Sequence, residues 1–484
     1  MDHKNYGDNR WEFIFGEYKG LEKLAVDYLY GVVSAYTPYI LTVSSCEKAQ
    51  DQLTNTNPVF IGTVKSNPYI KMLSDKGIIR LGGKAEGYCI KVAKSIWNEE
   101  KQMMIVAGND EAGVLYGAVD FENHYLTPNQ FPQSPCSYER KLFCEEMPEY
   151  ERISAPKISD RAIWTWGHVI YDYKRFIDNM VKLKLNMLVV WNDYVPVNAQ
   201  DFVDYAHSRG IKVIWGYSWA WGVKVDISNP SELQKWADMA LSVYENDYMS
   251  LTGDGVYFQS FTETDKATKN GIIIAEAVTE WVNIISAKLL NKYPDLYIQF
   301  GLHATSVKDK LEFIKNIDPR ITIIWEDCGA FPYHYNPKNI DNYNETKALS
   351  SKIADLRENN ERFGVVLKGL ATLDWSIFEH QKGSFVLGKA NSSYIKKRTE
   401  EKRYLWKYLQ AYWLKNLPYA KEIIKEMAEI RNGRLIVQAL VEDGMFEEKI
   451  WYPVALLTQM LWDYDDDLND LMCHTALAKF VDMA

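Results

Sequence analysis

The chain lacks several features that would assign it to common classes of protein. Its 484 residues contain no apolar run near the roughly 20 residues that a membrane-spanning helix requires. Its net charge of −10 is opposite in sign to the lysine and arginine excess that nucleic acid or an anionic membrane attracts. We therefore expect neither nucleic acid nor a membrane as a partner.

Motifs for metals and cofactors are also missing. The six cysteines are Cys46, Cys89, Cys136, Cys144, Cys328 and Cys473. None forms a CxxC pair, which favours reduced thiols over a zinc cluster. There is no HExxH zinc motif, and no GxGxxG follows a predicted strand. We expect no metal and no cofactor. The first residues, MDHKNYGDNRWEF, lack the basic and apolar segments of a secretion signal, so a cytoplasmic location is expected.

Aromatic residues, by contrast, are abundant. The sequence has 16 tryptophans and 32 tyrosines, within a globular composition of 47% hydrophobic and 25% charged residues. Aromatic rings fill cores, and their flat faces also hold ligands. A chain of this length predicts two or three domains.

Residues 1–155 have the pattern of a small α/β domain. An amphipathic helix is predicted over 21–37, followed by short apolar strands such as PVFIGTV and QMMIVAG. The segment NDEAGVLYGAVDF then predicts a helix whose N-cap is Asn109 or Asp110.

From 156 to 395 the pattern alternates between apolar strands and amphipathic helices, giving seven βα units. This spacing predicts a parallel sheet, and the number of units favours a (β/α)8 TIM barrel over a doubly wound sheet. We assign the eighth strand to Gly383–Asn391. Residues 396–484 are predicted to form a helical region, whose aromatic helices pack on the barrel or on a second subunit of a homo-oligomer.

In such barrels the reacting groups lie where strands end and βα loops begin. Tryptophans, carboxylates and amides dominate these positions. The candidates are Trp166, His168, Trp191, Asn192, Asp193, Tyr217, Trp219, Trp221, Gln259, Glu263, His303, Trp325, Glu326, Asp327, Asp374 and Trp375. Flat apolar faces interspersed with hydrogen-bonding groups suit a sugar ring, so a carbohydrate is the expected substrate.

Glycosidic bond cleavage requires a carboxylic acid that protonates the departing oxygen and a second carboxylate. Glu263, at the end of the fourth strand in aromatic surroundings, is the expected general acid, since such surroundings raise a carboxyl pKa. The second carboxylate is Glu326 or Asp327; in a regular strand only one of two adjacent residues faces the barrel axis. Asp193 and Asp374 would bind sugar hydroxyls or orient the acid.

Other interpretations of these residues stay open. Glu263 is also explained as a loop residue between two capping threonines. The tryptophans are also explained as residues that fill the barrel core, since residues at i and i+2 share a face of a strand. A barrel lyase or isomerase is a further alternative, for which Lys368 in VVLKGL would be a Schiff-base lysine.

The layout resembles two groups of bacterial glycoside hydrolases. An N-terminal domain carrying NDEAGVLYGAVDF before a barrel that opens with RAIWTWGH is similar to β-hexosaminidases of family 20 and α-glucuronidases of family 67. The resemblance implies a general acid after the fourth strand, which Glu263 matches. In the hexosaminidases an aspartate precedes this glutamate, and here that residue is Thr262. A carbohydrate-binding relative that has lost catalysis is therefore the alternative function.

Overall fold

The computed structural model describes most of the chain: residues 9–37, 39–130, 147–192, 194–217, 225–259, 262, 266–303, 306–329, 343–358, 361–370, 383–441 and 447–483. The chain divides into two compact units. The amino-terminal unit comprises Met1–Pro156 with Ser208–Gly210 and Met472–Val481. The barrel unit comprises Lys157–His207, Ile211–Leu471 and Asp482–Ala484.

The amino-terminal unit is built on a six-stranded mixed sheet. Its strands are β1 (Arg10–Phe15), β2 (Ile40–Ser45), β3 (Asn57–Thr63), β4 (Tyr88–Lys94), β5 (Gln102–Gly108) and β6 (Tyr150–Ser154), in the order β2-β1-β3-β5-β4-β6. Its helices are α1 (Gly20–Tyr36), α2 (Pro68–Asp75), α3 (Glu111–Asp120) and α4 (Thr127–Gln130). Of the two predicted N-caps of α3, Asp110 is the one that accepts a hydrogen bond from the backbone N–H of Gly113.

The barrel unit contains a closed ring of eight parallel strands. These are β7 (Asp160–Trp166), β8 (Met187–Trp191), β9 (Lys212–Gly216), β10 (Gly255–Gln259), β13 (Ile298–Leu302), β14 (Thr322–Gly329), β15 (Phe363–Leu370) and β16 (Leu435–Val441). The two-residue strands β11 (Thr268–Lys269) and β12 (Ile272–Ile273) pair with each other after β10. The predicted fold, a TIM barrel preceded by a small α/β region, is confirmed.

Helices connect the barrel strands. They are α5 (Tyr173–Lys182), α6 (Ala199–His207), α7 (Pro230–Val243), α8 (Ile274–Lys292), α9 (Leu311–Ile314), α10 (Tyr343–Ala354) and α11 (Ser392–Ile430). After β16 come β17 (Ile450–Trp451), α12 (Tyr452–Trp462), α13 (Leu468–Leu477) and β18 (Val481–Asp482). In the part of the chain that the structure describes, no helix combines the length and apolar character needed to cross a membrane.

The eighth strand is not where the sequence pattern placed it. Leu435–Val441 pairs with β15 on one side and β7 on the other and so closes the ring. The prediction of Gly383–Asn391 was wrong, and the ring closes inside the segment 396–484 that was predicted to be a separate helical region. The 39-residue helix α11 precedes this strand. The prediction assumed the short spacing between the earlier strands and helices, and so long a helix does not follow that spacing.

The barrel interior is a packed aromatic and aliphatic core. Alternate residues of each strand point inward, and thirteen buried side chains form one cluster: Ala162, Trp164, Trp166, Val169, Met187, Val189, Trp191, Ile214, Tyr257, Ile324, Val366, Ile436 and Leu440. This core supports the end of the barrel that is formed by the carboxyl ends of the strands. We call that end the barrel mouth.

Candidate active site

Five polar side chains, one of them Glu326, converge at the barrel mouth. They come from the carboxyl ends of four consecutive strands of the ring, and we call them the Glu326 cluster: Tyr257 and Gln259 of β10, His303 directly after β13, Glu326 of β14 and Lys368 of β15. Helices and loops separate these strands in the sequence, so the cluster is assembled by the parallel pairing of neighbouring strands.

Both carboxylate oxygens of Glu326 accept hydrogen bonds. The Tyr257 hydroxyl donates to Oε1, and the Gln259 amide donates to Oε1 at 2.8 Å and to Oε2 at 2.7 Å. His303 Nε2 lies 2.9 Å from Oε2, and Lys368 Nζ lies 3.8 Å from the same oxygen. A carboxylate that is only 2% exposed thus has protein partners on both oxygens.

This environment keeps Glu326 ionised. Burial raises the pKa of a carboxyl group, because the charged form loses its hydration. Here that effect is outweighed by the attraction of His303 and Lys368 and by the hydrogen bonds from His303 and Tyr257, so the pKa of Glu326 is lowered below its usual value. The site therefore contains a buried, negatively charged carboxylate at neutral pH.

Gly301, which has no side chain, leaves space for this carboxylate. A Cβ atom placed on Gly301 of β13 would lie 2.0 Å from Glu326 Oε1 and 2.5 Å from the Tyr257 hydroxyl oxygen. No side chain fits that space, so glycine is required at this position for the Glu326 cluster to form.

Aromatic rings lie beneath the cluster and form what we call the aromatic floor: Trp164, Trp166, Trp191 and Tyr257. The Trp164 ring meets Trp166 edge to face at 4.7 Å between centroids, and Trp191 meets Tyr257 edge to face at 5.9 Å. Tyr257 joins the floor to Glu326 through its hydroxyl. Trp166 and Trp191, predicted as sugar contacts, are buried members of the core, as the core-filler interpretation expected.

Two other predicted sugar contacts point away from the mouth. Trp325 is fully buried, and its indole N–H donates to the Ser350 hydroxyl of α10 at 3.0 Å. Since Glu326 points inward, the neighbouring Trp325 points outward. The Tyr217 hydroxyl lies 3.4 Å from the Ala240 carbonyl of α7, and its ring stacks on Tyr248. Both side chains pack between strand and helix, which corrects the prediction that they contact substrate.

The loop that follows β10 is tied to the cluster through Thr262. The Thr262 hydroxyl accepts a hydrogen bond from the backbone N–H of His303 at 3.2 Å, and its carbonyl accepts one from the Ser306 hydroxyl at 2.6 Å. Thr262 is the residue directly before the predicted general acid in the sequence. Its buried position anchors the β10 loop beside His303.

Several predicted site residues lie outside the described residues: Asp193, Trp219, Trp221, Glu263, Asp374 and Trp375. The backbone of Asp327 belongs to β14, within a stretch where the pairing with β15 shifts register between Trp325 and Gly329. Their proposed roles stay predictions. Among the described residues, no group of three or more His, Cys, Asp or Glu side chains is arranged to hold a metal ion.

The remaining predicted contacts lie on the opposite side of the ring. His168 and Asn192 follow β7 and β8, and β8 is four strands from β14 in the eight-strand ring. Sequence reasoning did not place Tyr257 or Lys368 in a sugar site. A lysine inside the apolar strand VVLKGL was the one available signal, and it was interpreted as a Schiff-base lysine instead.

Comparisons with known proteins identify the fold. The sequence matches no family model, and no curated protein is significantly similar to it. Among solved structures, a family GH138 enzyme targeting pectin rhamnogalacturonan II superposes with a TM-score of 0.50 at 12% identity, covering 96% of this chain and 52% of that one. A family GH115 4-O-methyl-α-glucuronidase with specificity for decorated arabinogalactans gives 0.51 at 14% identity, covering 96% and 58%. The chain thus spans little more than half of these glycoside hydrolases, whose fold it shares.

Proposed function

We propose that this protein is a glycoside hydrolase that uses Glu263 as general acid and Glu326 as second carboxylate. The observation that carries the proposal is the Glu326 carboxylate, buried among its polar partners at the mouth of a TIM barrel above an aromatic floor. Active sites of TIM-barrel enzymes lie at this end of the barrel, and the structures that share the fold are glycoside hydrolases.

In the proposed reaction, Glu263 transfers its proton to the glycosidic oxygen while the bond from that oxygen to the anomeric carbon breaks. Positive charge then develops on the sugar ring, and the negative charge of Glu326 stabilises it. A water molecule supplies the oxygen that bonds to the anomeric carbon and releases one proton to a carboxylate. Thr262, the residue directly before Glu263 in the sequence, is buried and bonded to the His303 segment at this mouth.

Glu326 is preferred over Asp327 because its partners and its charge are defined. The tyrosine, glutamine, histidine and lysine around it hold the carboxylate in one orientation, as a preorganised electrostatic site requires. Asp327 stays the alternative second carboxylate, since its strand is irregular at this point and bulges redirect side chains.

The test is hydrolysis of a panel of 4-nitrophenyl glycosides that includes N-acetylhexosaminides and glucuronides. Glucuronides are included because Lys368 supplies a cation at the mouth and one similar structure is a glucuronidase. Glu263→Gln and Glu326→Gln should each lower kcat by at least about a hundredfold, in the range typical of general acid catalysis. Glu22→Gln, a buried carboxylate of the amino-terminal unit, is the control. Wild-type rates in both barrel variants would refute the assignment, and a loss confined to Asp327→Asn would transfer the role.

A non-catalytic carbohydrate-binding protein is the second candidate. Two observations favour it: both oxygens of Glu326 already accept hydrogen bonds from the protein, and Thr262 occupies the place of the hexosaminidase aspartate. Titration calorimetry would then show binding of a glycoside that the wild-type protein does not hydrolyse.

A further inference from the structure

A segment far along the chain covers the loops that follow β7 and β8. We call residues 383–391 the strap. The backbone N–H of Val197 donates to the Phe385 carbonyl at 2.8 Å, and the Asn198 side chain makes two hydrogen bonds with the backbone of Leu387, at 2.8 and 2.9 Å. Further along, the N–H of Ala390 donates to the Tyr171 carbonyl at 2.8 Å. These bonds fix the strap against both loops.

The strap places the Phe385 ring directly on Gly167. A Cβ atom on Gly167 would lie 2.8 Å from Phe385 Cζ and 3.4 Å from the Asn192 amide nitrogen. The ring and the amide therefore both border Gly167 at the ends of β7 and β8. Phe385 is only partly buried, so part of its ring is accessible to a ligand.

The amide of Asn192 is the unusual member of this group. Its backbone is fixed, because its N–H donates to the Gly216 carbonyl at 3.0 Å and its carbonyl accepts from the Tyr248 hydroxyl at 3.2 Å. The residue is only 5% exposed, yet its side-chain nitrogen has no hydrogen-bond partner among the residues that the structure describes. Buried donors without partners are rare and costly. By comparison, the side-chain nitrogen of Gln259, on β10 two strands away in the ring, donates to both oxygens of Glu326.

We propose that Asn192 and Phe385 form a specificity subsite of the barrel mouth. The Asn192 amide donates a hydrogen bond to one hydroxyl oxygen of the sugar, and the Phe385 ring packs on an apolar face of the same sugar. The subsite lies half a ring from Glu326, so a sugar at the mouth is held from opposite sides. The inference rests on the proposed function, because it takes the bound ligand to be a glycoside.

The experiment compares Asn192→Leu with wild type on the 4-nitrophenyl glycoside that wild type hydrolyses, and on its series of monodeoxy analogues. Leucine has nearly the same volume without the amide. It should lower kcat/KM about tenfold on the parent glycoside, the effect of one neutral hydrogen bond. One deoxy analogue should react equally with both proteins, because it lacks the hydroxyl that the amide binds. The melting temperature should stay the same or rise, since an unpartnered buried donor has been removed.

Matched variants separate this role from a structural one. Asn123→Leu removes a similarly buried amide of the amino-terminal unit that has no partner among the described residues, and it should change no kinetic constant. Gly167→Ala and Phe385→Ala should lower kcat/KM to similar extents, because the added Cβ displaces the ring.

The outcomes distinguish the two proposals. The subsite would be overturned if wild type hydrolyses the glycoside and Asn192→Leu shows the same ratios of kcat/KM between the parent glycoside and its deoxy analogues. That result would leave the hydrolase assignment intact. A fall in melting temperature that accounts for the activity loss would also overturn it. If wild type hydrolyses no glycoside, calorimetric binding of the same panel tests the subsite alone, with about tenfold weaker binding expected for Asn192→Leu. Failure of wild type to bind any panel member would overturn both proposals.

Discussion

Replacing Glu326 with glutamine tests the electrostatics of the candidate site most directly. The carboxylate accepts hydrogen bonds from Tyr257, Gln259 and His303, and Lys368 is close to it. Glutamine keeps the shape of the side chain but removes its charge. Its amide nitrogen, a hydrogen-bond donor, replaces one acceptor oxygen and faces partners that are themselves donors. The variant therefore leaves a buried, donor-rich site with one acceptor oxygen instead of two and no negative charge opposite Lys368.

The expected cost follows from the burial and from the number of partners. Hydrogen bonds to a charged group contribute about 1.5–3 kcal/mol each, and loss of one partner from a buried ion pair costs about 3–5 kcal/mol. Because the partners share one carboxylate, their contributions are not additive. We therefore expect the free energy of unfolding to fall by about 3–5 kcal/mol, the ion-pair figure.

The cost should also depend on pH in a defined direction. The pKa of Glu326 is lower in the folded protein than its usual value, so its contribution is fully present above the ordinary glutamate pKa of about 4.3. It is lost as pH falls through the lower, folded-state pKa. The difference between wild type and Glu326→Gln should therefore be constant near neutral pH and shrink below about pH 4.

Urea unfolding followed by tryptophan fluorescence at several pH values measures both effects. Glu22→Gln is the matched control, because burial raises the pKa of Glu22 instead of lowering it. Ionised Glu22 costs stability at neutral pH, so its replacement should be neutral or stabilising. A loss below about 1 kcal/mol for Glu326→Gln at pH 7, or a difference that does not shrink in acid, would refute the electrostatic argument for the site.

Three further predictions concern packing and accessibility. Gly301→Ala should disrupt the Glu326 cluster, because the added methyl occupies the space of the carboxylate oxygen; loss of activity and a lower melting temperature are expected. Arg431→Met should lower the free energy of unfolding by about 2–4 kcal/mol, since its guanidinium donates to four backbone carbonyls within residues 354–361. Iodoacetamide at pH 8 should modify the exposed Cys473 well before the buried Cys89, whose thiol pKa is raised by burial to about 11; peptide mass spectrometry gives the order.

Each of these has a control in the same chain. Gly31→Ala adds a methyl in open space within helix α1 and should stabilise the protein by up to about 1 kcal/mol. Arg434→Met changes an exposed arginine near Arg431 and should leave stability within about 0.5 kcal/mol. Equal stability losses for Arg431 and Arg434, or faster labelling of Cys89 than of Cys473, would contradict the structure.

The sequence was sufficient for the architecture because that information is local. Each apolar strand and amphipathic helix shows its own periodicity within about ten residues, and their alternation is typical of a parallel barrel. The same locality explains the failure at the eighth strand. LIVQALV is an apolar run that begins two residues after Gly433 in the turn sequence Asn432-Gly433, a usable strand signal. The expectation of a short βα spacing nevertheless placed the strand before α11.

The sequence alone thus determined the order of the first seven barrel strands, the kind of residues that reach the strand ends, and the choice of Glu326 or Asp327 as a candidate. Only the tertiary structure decided that Trp325 faces a helix, that Tyr257, His303 and Lys368 meet at one carboxylate, and that Phe385 lies on Gly167. These contacts join residues from about 20 to more than 200 positions apart. These contacts depend on which strands pair and on whether single side chains point into or out of the barrel. The pattern of neighbouring residues in the sequence specifies neither of these.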